Sequence, residues 1–181
     1  MTGMLSKKGT TPEPSKKIPL PKPQGHHCFA CGTANPIGLQ LQFYRDDNSI
    51  CSDIVLGKEY EGWENMAHGG IVSTLLDEVM SWTLIYFKRA FFVTRKIQIK
   101  YVRPVPIGEP IAVRGSILRG DSQITVAKGV VLDKEGKLLA RSEAEFAMVP
   151  EEKLSVVPER IKKDMRALFE ELKGTLGGGD L

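Results

Sequence analysis

Between Glu64 and Phe87 the chain reads ENMAHGGIVSTLLDEVMSWTLIYF, with apolar positions recurring at helical rather than strand spacing. At roughly 100° per residue, Ile71, Val72, Leu75, Leu76, Val79, Met80, Trp82 and Tyr86 cover well over half of the circumference. This predicts a helix enclosed on most sides. Ser73, Thr74, Asp77 and Ser81 form the remaining stripe, with Glu78 at its margin and Leu84 interrupting it. A carboxylate about two turns into so apolar a rod is costly unless it is paired or used. His68-Gly69-Gly70 reads as a permissive turn leading into the helix, so any chemistry is expected between that turn and Asp77.

Elsewhere the period is largely two. Leu39, Leu41 and Phe43 alternate with Gln40, Gln42 and Tyr44, and Arg45-Asp46-Asp47-Asn48 reads as a hairpin turn into a strand marked by Ile50, Ser52, Ile54 and Leu56. Residues 57–67 read as a loop containing Tyr60, Trp63 and Asn65. Four strands follow the helix. In the first, Val93, Ile97, Ile99 and Tyr101 share one parity and Thr94, Lys96, Gln98 and Lys100 the other, until Arg103-Pro104-Val105-Pro106 ends it. The others are marked by Ile111, Val113 and Ile117; by Ile124, Val126, Val130 and Leu132; and by Leu138, Ala140, Ala144, Phe146 and Met148. Short turns at Gly120-Asp121 and Lys134-Glu135-Gly136 make the pairing antiparallel with one wet face. Two strands, one enclosed helix and four strands give an α+β order.

The ends have a different composition. Residues 1–25 contain five prolines and no periodic apolar pattern, which predicts a disordered basic tail. Lys7, Lys8, Lys16, Lys17 and Lys22 against Glu13 give it a balance of +4, so of the formal net charge of +3 only −1 remains for the rest of the chain. A body without basic character argues against nucleic-acid binding. Residues 26–150 form the expected domain, and 151–181 an amphipathic helix with a flexible end. Pro158 suits the first turn of that helix, Ile161, Met165, Leu168 and Leu172 share a face that docks onto the body, and Gly174 stops it. No apolar run is long enough to span a membrane, and three cysteines fit a reducing compartment, so a cytoplasmic protein is expected.

His26-His27-Cys28-Phe29-Ala30-Cys31 poses a metal question, because thiolate and imidazole are zinc's preferred ligands. Closed zinc sites draw on two separated ligand pairs, and the sequence has no second CxxC. The expectation is therefore no metal, with Cys28 and Phe29 packing and Asn35-Pro36 turning the chain.

HGG followed by an apolar helix with LLDE, then VTRKIQIKYVRPVPIGEPI, resembles the hotdog-fold acyl-CoA thioesterases, especially the branch of phenylacetate-pathway and 4-hydroxybenzoyl-CoA thioesterases. CFACGTANPIGLQLQF resembles the N-terminal segment of many members, and the likeness covers about residues 26–149. The resemblance implies a central helix wrapped by an antiparallel sheet, a homodimer or a dimer of dimers, and active sites between protomers. It places Asp77 where the family's catalytic acid lies, as general base or nucleophile. It makes the amides of the His68-Gly69-Gly70 turn the oxyanion donors, at the positive end of the helix dipole. Thr94 aligns with a hydroxyl residue that some relatives supply from the opposite protomer to position water. Asn65, Glu78 and Arg103 are the candidate substrate-binding residues, with Lys100 and Arg103 available to CoA phosphates. No cofactor is implied beyond the coenzyme A of the substrate.

Other uses of the same residues stay open. His68 has a possible role within its loop, and Asp77 a possible pairing with Arg95 or Lys96. A hotdog hydratase or dehydratase is one alternative, although His68 precedes the helix and the other histidines, His26 and His27, belong to the CxxC segment rather than to a paired acid and base. An acyl-CoA sensor without catalysis is another, and Asp77 argues against it. The acyl chain depends on how Trp63, Met80, Trp82 and Phe92 meet across protomers.

Overall fold

The computed structural model describes residues 17–174. Its centre is helix α1 (Gly69–Lys88), capped by His68 and ended at Arg89, whose backbone turns left-handed with φ 47°. Val72, Leu75, Leu76, Val79, Met80, Trp82, Leu84 and Tyr86 are all buried along it. Each such side chain contributes roughly 1.5–3 kcal/mol by leaving water. Seven strands wrap α1: β1 (Ile18–Pro19), β2 (Tyr44–Asp46), β3 (Ser49–Val55), β6 (Phe92–Tyr101), β7 (Pro110–Gly120), β8 (Ile124–Asp133) and β9 (Leu138–Met148). They run in the order β1-β2-β3-β7-β8-β9-β6, every neighbouring pair antiparallel. One helix inside one antiparallel sheet is the hotdog arrangement. Helix α2 (Glu159–Lys173) packs Leu168 and Leu172 into the same core.

Four details depart from the sequence reading. Part of the expected tail is ordered: Ile18 and Pro19 pair with Arg45 and Tyr44, Leu20 is buried, and the Lys22 ammonium donates to the carbonyls of Cys31 and Leu41. Residues 1–16 and 175–181, the remainder of the expected flexible ends, lie outside the described residues. Leu39, Leu41 and Phe43 are buried as the alternation implies, but they are extended chain rather than strand. Their segment bonds to the loop before it, Leu39 N–H to Phe29 and Leu41 N–H to Ala30, and Gln40 takes φ 50°. Within residues 57–67 a small hairpin forms from β4 (Glu61–Trp63) and β5 (Met66–Ala67).

The fourth departure is in the inward face of β8. Ala127, Gly129 and Val131 lie against α1 instead of Val130 and Leu132, so helix and sheet meet over small residues. Gly115 on β7 marks the closest approach, since a Cβ there would lie 2.5 Å from Thr83 Oγ1 and 2.7 Å from the Val79 carbonyl oxygen. Neither the helix backbone nor a buried threonine yields cheaply. Gly115→Ala should therefore destabilise the protein by roughly 1–3 kcal/mol, the usual cost of overpacking. Urea unfolding of the variant beside the parent checks this, and an unchanged midpoint would mean that α1 sits further from β7.

Candidate active site

Asp77 lies on the half-buried stripe of α1, and its Oδ1 accepts a 3.0 Å hydrogen bond from Thr94 Oγ1 of the same chain. Simple alternation puts Thr94 with Lys96 and Gln98 on the wet face. A bulge between Thr94 and Lys96 reverses this, because the extra residue moves Phe92 and Thr94 onto the face carried afterwards by Ile97 and Ile99. Within one chain, then, the Thr94 hydroxyl already meets the Asp77 carboxylate. Among the described residues Asp77 makes no ion pair with Arg95 or Lys96. Burial raises its pKa, and the Thr94 bond partly offsets that.

At the start of α1 the turn divides its amides. His68 sits in extended geometry at the N-cap and its Nδ1 accepts the Gly70 N–H at 3.0 Å. The Gly70 N–H is thus engaged by the cap. The Gly69 N–H has no partner among the described residues, and Gly69 helps to line a cleft of about 720 Å³ with Trp63, His68, Val72, Tyr101 and Arg103, among others. Tyr101 holds this turn in place: its hydroxyl donates to the Gly69 carbonyl at 3.0 Å and meets Ser73 Oγ at 2.8 Å. Tyr101 escaped the sequence reading, whose only signal was a parity shared with Ile97 and Ile99.

The candidate binding residues separate. Arg103 lines the cleft, with Nη1 donating to the Leu138 carbonyl at 2.6 Å. Asn65 instead forms the β4–β5 turn with φ 61°, its N–H bonded to the Glu61 carboxylate, and it does not line the cleft. Glu78 is directed to the CxxC loop, accepting Trp82 Nε1–H at 3.1 Å with both carboxylate oxygens 3.9 Å from Cys28 Sγ. Burial, followed by the nearby Cys28, pushes its pKa up to about 7. Cys28 is held low, at about 5, by the thiol of Cys31 and then by backbone N–H groups, while the bond to Cys28 and burial push Cys31 up. Met80 and Trp82 are closed off in the chain's own core, Trp82 stacked on Phe43 at 4.6 Å, so of the expected acyl-pocket set only Trp63 lines the cleft.

Residues 64–140 match the family model described as the thioesterase superfamily. No curated protein matches the sequence. Among solved structures, one described as a thioesterase superfamily protein is 23% identical with TM-score 0.64, over 67% of this chain and 60% of that one. The E. coli PaaI protein from the phenylacetic acid degradation operon is 14% identical with TM-score 0.57, over 62% of this chain and 81% of that one. A hypothetical thioesterase from Streptococcus pneumoniae, solved with coenzyme A, is 16% identical with TM-score 0.54, over 57% and 80%. No helix among the described residues is long and apolar enough to cross a membrane.

Proposed function

We propose that this hotdog-fold protein, whose residues 64–140 belong to the thioesterase superfamily, hydrolyses acyl-CoA thioesters to free acid and CoA. Asp77 acts on a carbonyl held by the Gly69 N–H of a second copy. One observation carries the reading: a half-buried carboxylate oriented by a hydroxyl and a vacant helix-terminal amide, on a helix otherwise sealed in a core. Thr94 occupies Oδ1 and leaves Oδ2 for water. Asp77 takes a proton as that water attacks the thioester carbon, the oxyanion forms against Gly69 N–H, and collapse expels the CoA thiolate. Direct attack by the carboxylate would pass instead through an acyl-enzyme anhydride that water then cleaves. The cleft beside Gly69 takes the pantetheine arm, with Arg103 at hand for phosphate; coenzyme A in the streptococcal structure supports this.

Helix geometry supports the second copy. Asp77 lies eight residues beyond Gly69, about 12 Å at 1.5 Å per residue, too far for both to serve one carbonyl. A two-fold axis across the half-buried stripe of α1 brings each turn to the other's carboxylate. It also covers β6, a ten-residue strand at the sheet edge whose long unpaired edge otherwise invites aggregation.

The activity is tested by free-thiol release from short, medium, long and aromatic acyl-CoAs. Turnover of at least one class is expected; cleavage of none would favour a sensor or a hydratase. The shared site has its own test. Co-expressed Asp77→Asn and Gly69→Pro chains should recover about a quarter of the parental activity, because half of the randomly assorted dimers carry one intact site of two. No recovery would place both groups in a single-chain site.

A further inference from the structure

Cys28, Cys31 and Glu78 converge although the third lies 47 positions beyond the second. Their ligand atoms all lie within 4.8 Å of one another, and both Glu78 oxygens are 3.9 Å from Cys28 Sγ. In a tetrahedral zinc site, sulfur at 2.3 Å and oxygen near 2.0 Å stand about 3.5 Å apart, so a small contraction would bring this group to bonding geometry. The sequence offered no second ligand pair; the fold supplies the third ligand from α1.

The surroundings also suit a cation. The Gly32 N–H donates to the Cys28 carbonyl at 2.9 Å, closing the turn that holds Cys28 and Cys31 on one side of the loop. The turn is tight enough that a Cβ on Gly32 would lie 2.5 Å from the carbonyl oxygens of Cys28 and His26. Trp82 Nε1–H fixes Glu78 Oε1 and leaves Oε2 available, the kind of outer contact that orients a carboxylate ligand. The Lys22 ammonium, anchored on the Cys31 and Leu41 carbonyls, is attracted by all three groups. Two thiolates and a carboxylate against a divalent ion and Lys22 leave no net charge. Cys28 is exposed, which gives the ion a way in.

We propose that Cys28, Cys31 and Glu78 bind one zinc ion, with water in the fourth position, tying the N-terminal loop to α1. No other histidine, cysteine or acidic residue among the described residues joins the group. Binding takes both cysteines as thiolates, sends any proton still on the ligands to solvent and involves no change of oxidation state. The site is separate from Gly69, and the hydrolysis reading does not depend on it.

The test titrates cobalt(II), then zinc(II), into the reduced, chelator-stripped full chain. One cobalt per chain is expected, with a near-ultraviolet sulfur-to-cobalt charge-transfer band and the visible bands of a tetrahedral site, both abolished by zinc. Cys28→Ser and Cys31→Ser should each reduce the charge-transfer band and weaken binding. Glu78→Gln should keep the band and lose affinity at least about tenfold, since even outer-shell changes cost 10- to 100-fold. Should a variant fail to fold by circular dichroism, the parent alone decides: equimolar zinc must slow alkylation of both Cys28 and Cys31, mapped by mass spectrometry. Absence of the charge-transfer band, alkylation indifferent to zinc, or a Cys28–Cys31 disulfide forming in air despite equimolar zinc would each overturn the site.

Discussion

Asp77→Asn is expected to lower turnover of the best acyl-CoA substrate by about 10²-fold or more, within the range of general-base catalysis. A thiol leaving group with a pKa near ~8.5 departs without a strong acid, so the demand falls on the attacking oxygen and on the oxyanion. Asparagine keeps the size of the side chain and can still meet the Thr94 hydroxyl, but it accepts no proton. Binding of a non-hydrolysable acyl-CoA should survive, because the cleft is lined by other residues. Glu78→Gln should lose much less turnover, since that carboxylate meets Trp82 and the CxxC loop. The assignment fails if Asp77→Asn matches the parent while Glu78→Gln is dead.

Gly69→Pro removes the other half of the chemistry, the unpartnered N–H, with an expected loss of about 10²- to 10³-fold in kcat, the scale seen for deleting one oxyanion donor. The substitution suits the site structurally. Gly69 is the first residue of α1, where proline is tolerated because its N–H is not needed by the helix. His68, with φ −61° and ψ 137°, already has the extended backbone required before a proline. A Cβ at position 69 would meet only Tyr101, at 3.6 Å, an ordinary contact. The melting temperature should therefore stay close to the parent's, and Gly69→Ala, which keeps the N–H, should lose far less activity. A Gly69→Pro protein that is fully folded and fully active would show that this amide is not the oxyanion donor.

The clearest signals in the sequence were local and periodic. The 3.6-residue pattern determined α1 and its burial, and the Asp77 stripe showed which carboxylate the helix leaves outside its core. Two-residue alternation determined that the sheet is antiparallel, because each residue's face follows from counting within one strand. Counting fails where a residue is inserted or where packing selects the smaller face. The bulge at Arg95 carried Thr94 to Asp77, and close approach of α1 selected Ala127, Gly129 and Val131 as the inner row of β8.

Partners distant in the chain were beyond such counting altogether. Ile18 and Pro19 were read as tail because a two-residue strand has no period, and only its pairing with β2 orders it. The capping of the Gly70 amide in the HGG turn comes from the direction of the His68 imidazole, a side-chain hydrogen bond. Glu78 looked like a margin residue of the Asp77 stripe until the fold set Cys28 and Cys31 against it. The sequence by itself determined the two helices, the long strands and the candidate residues; the tertiary structure decided which of those residues meet, because three-dimensional proximity across tens of residues leaves no periodic trace in the chain.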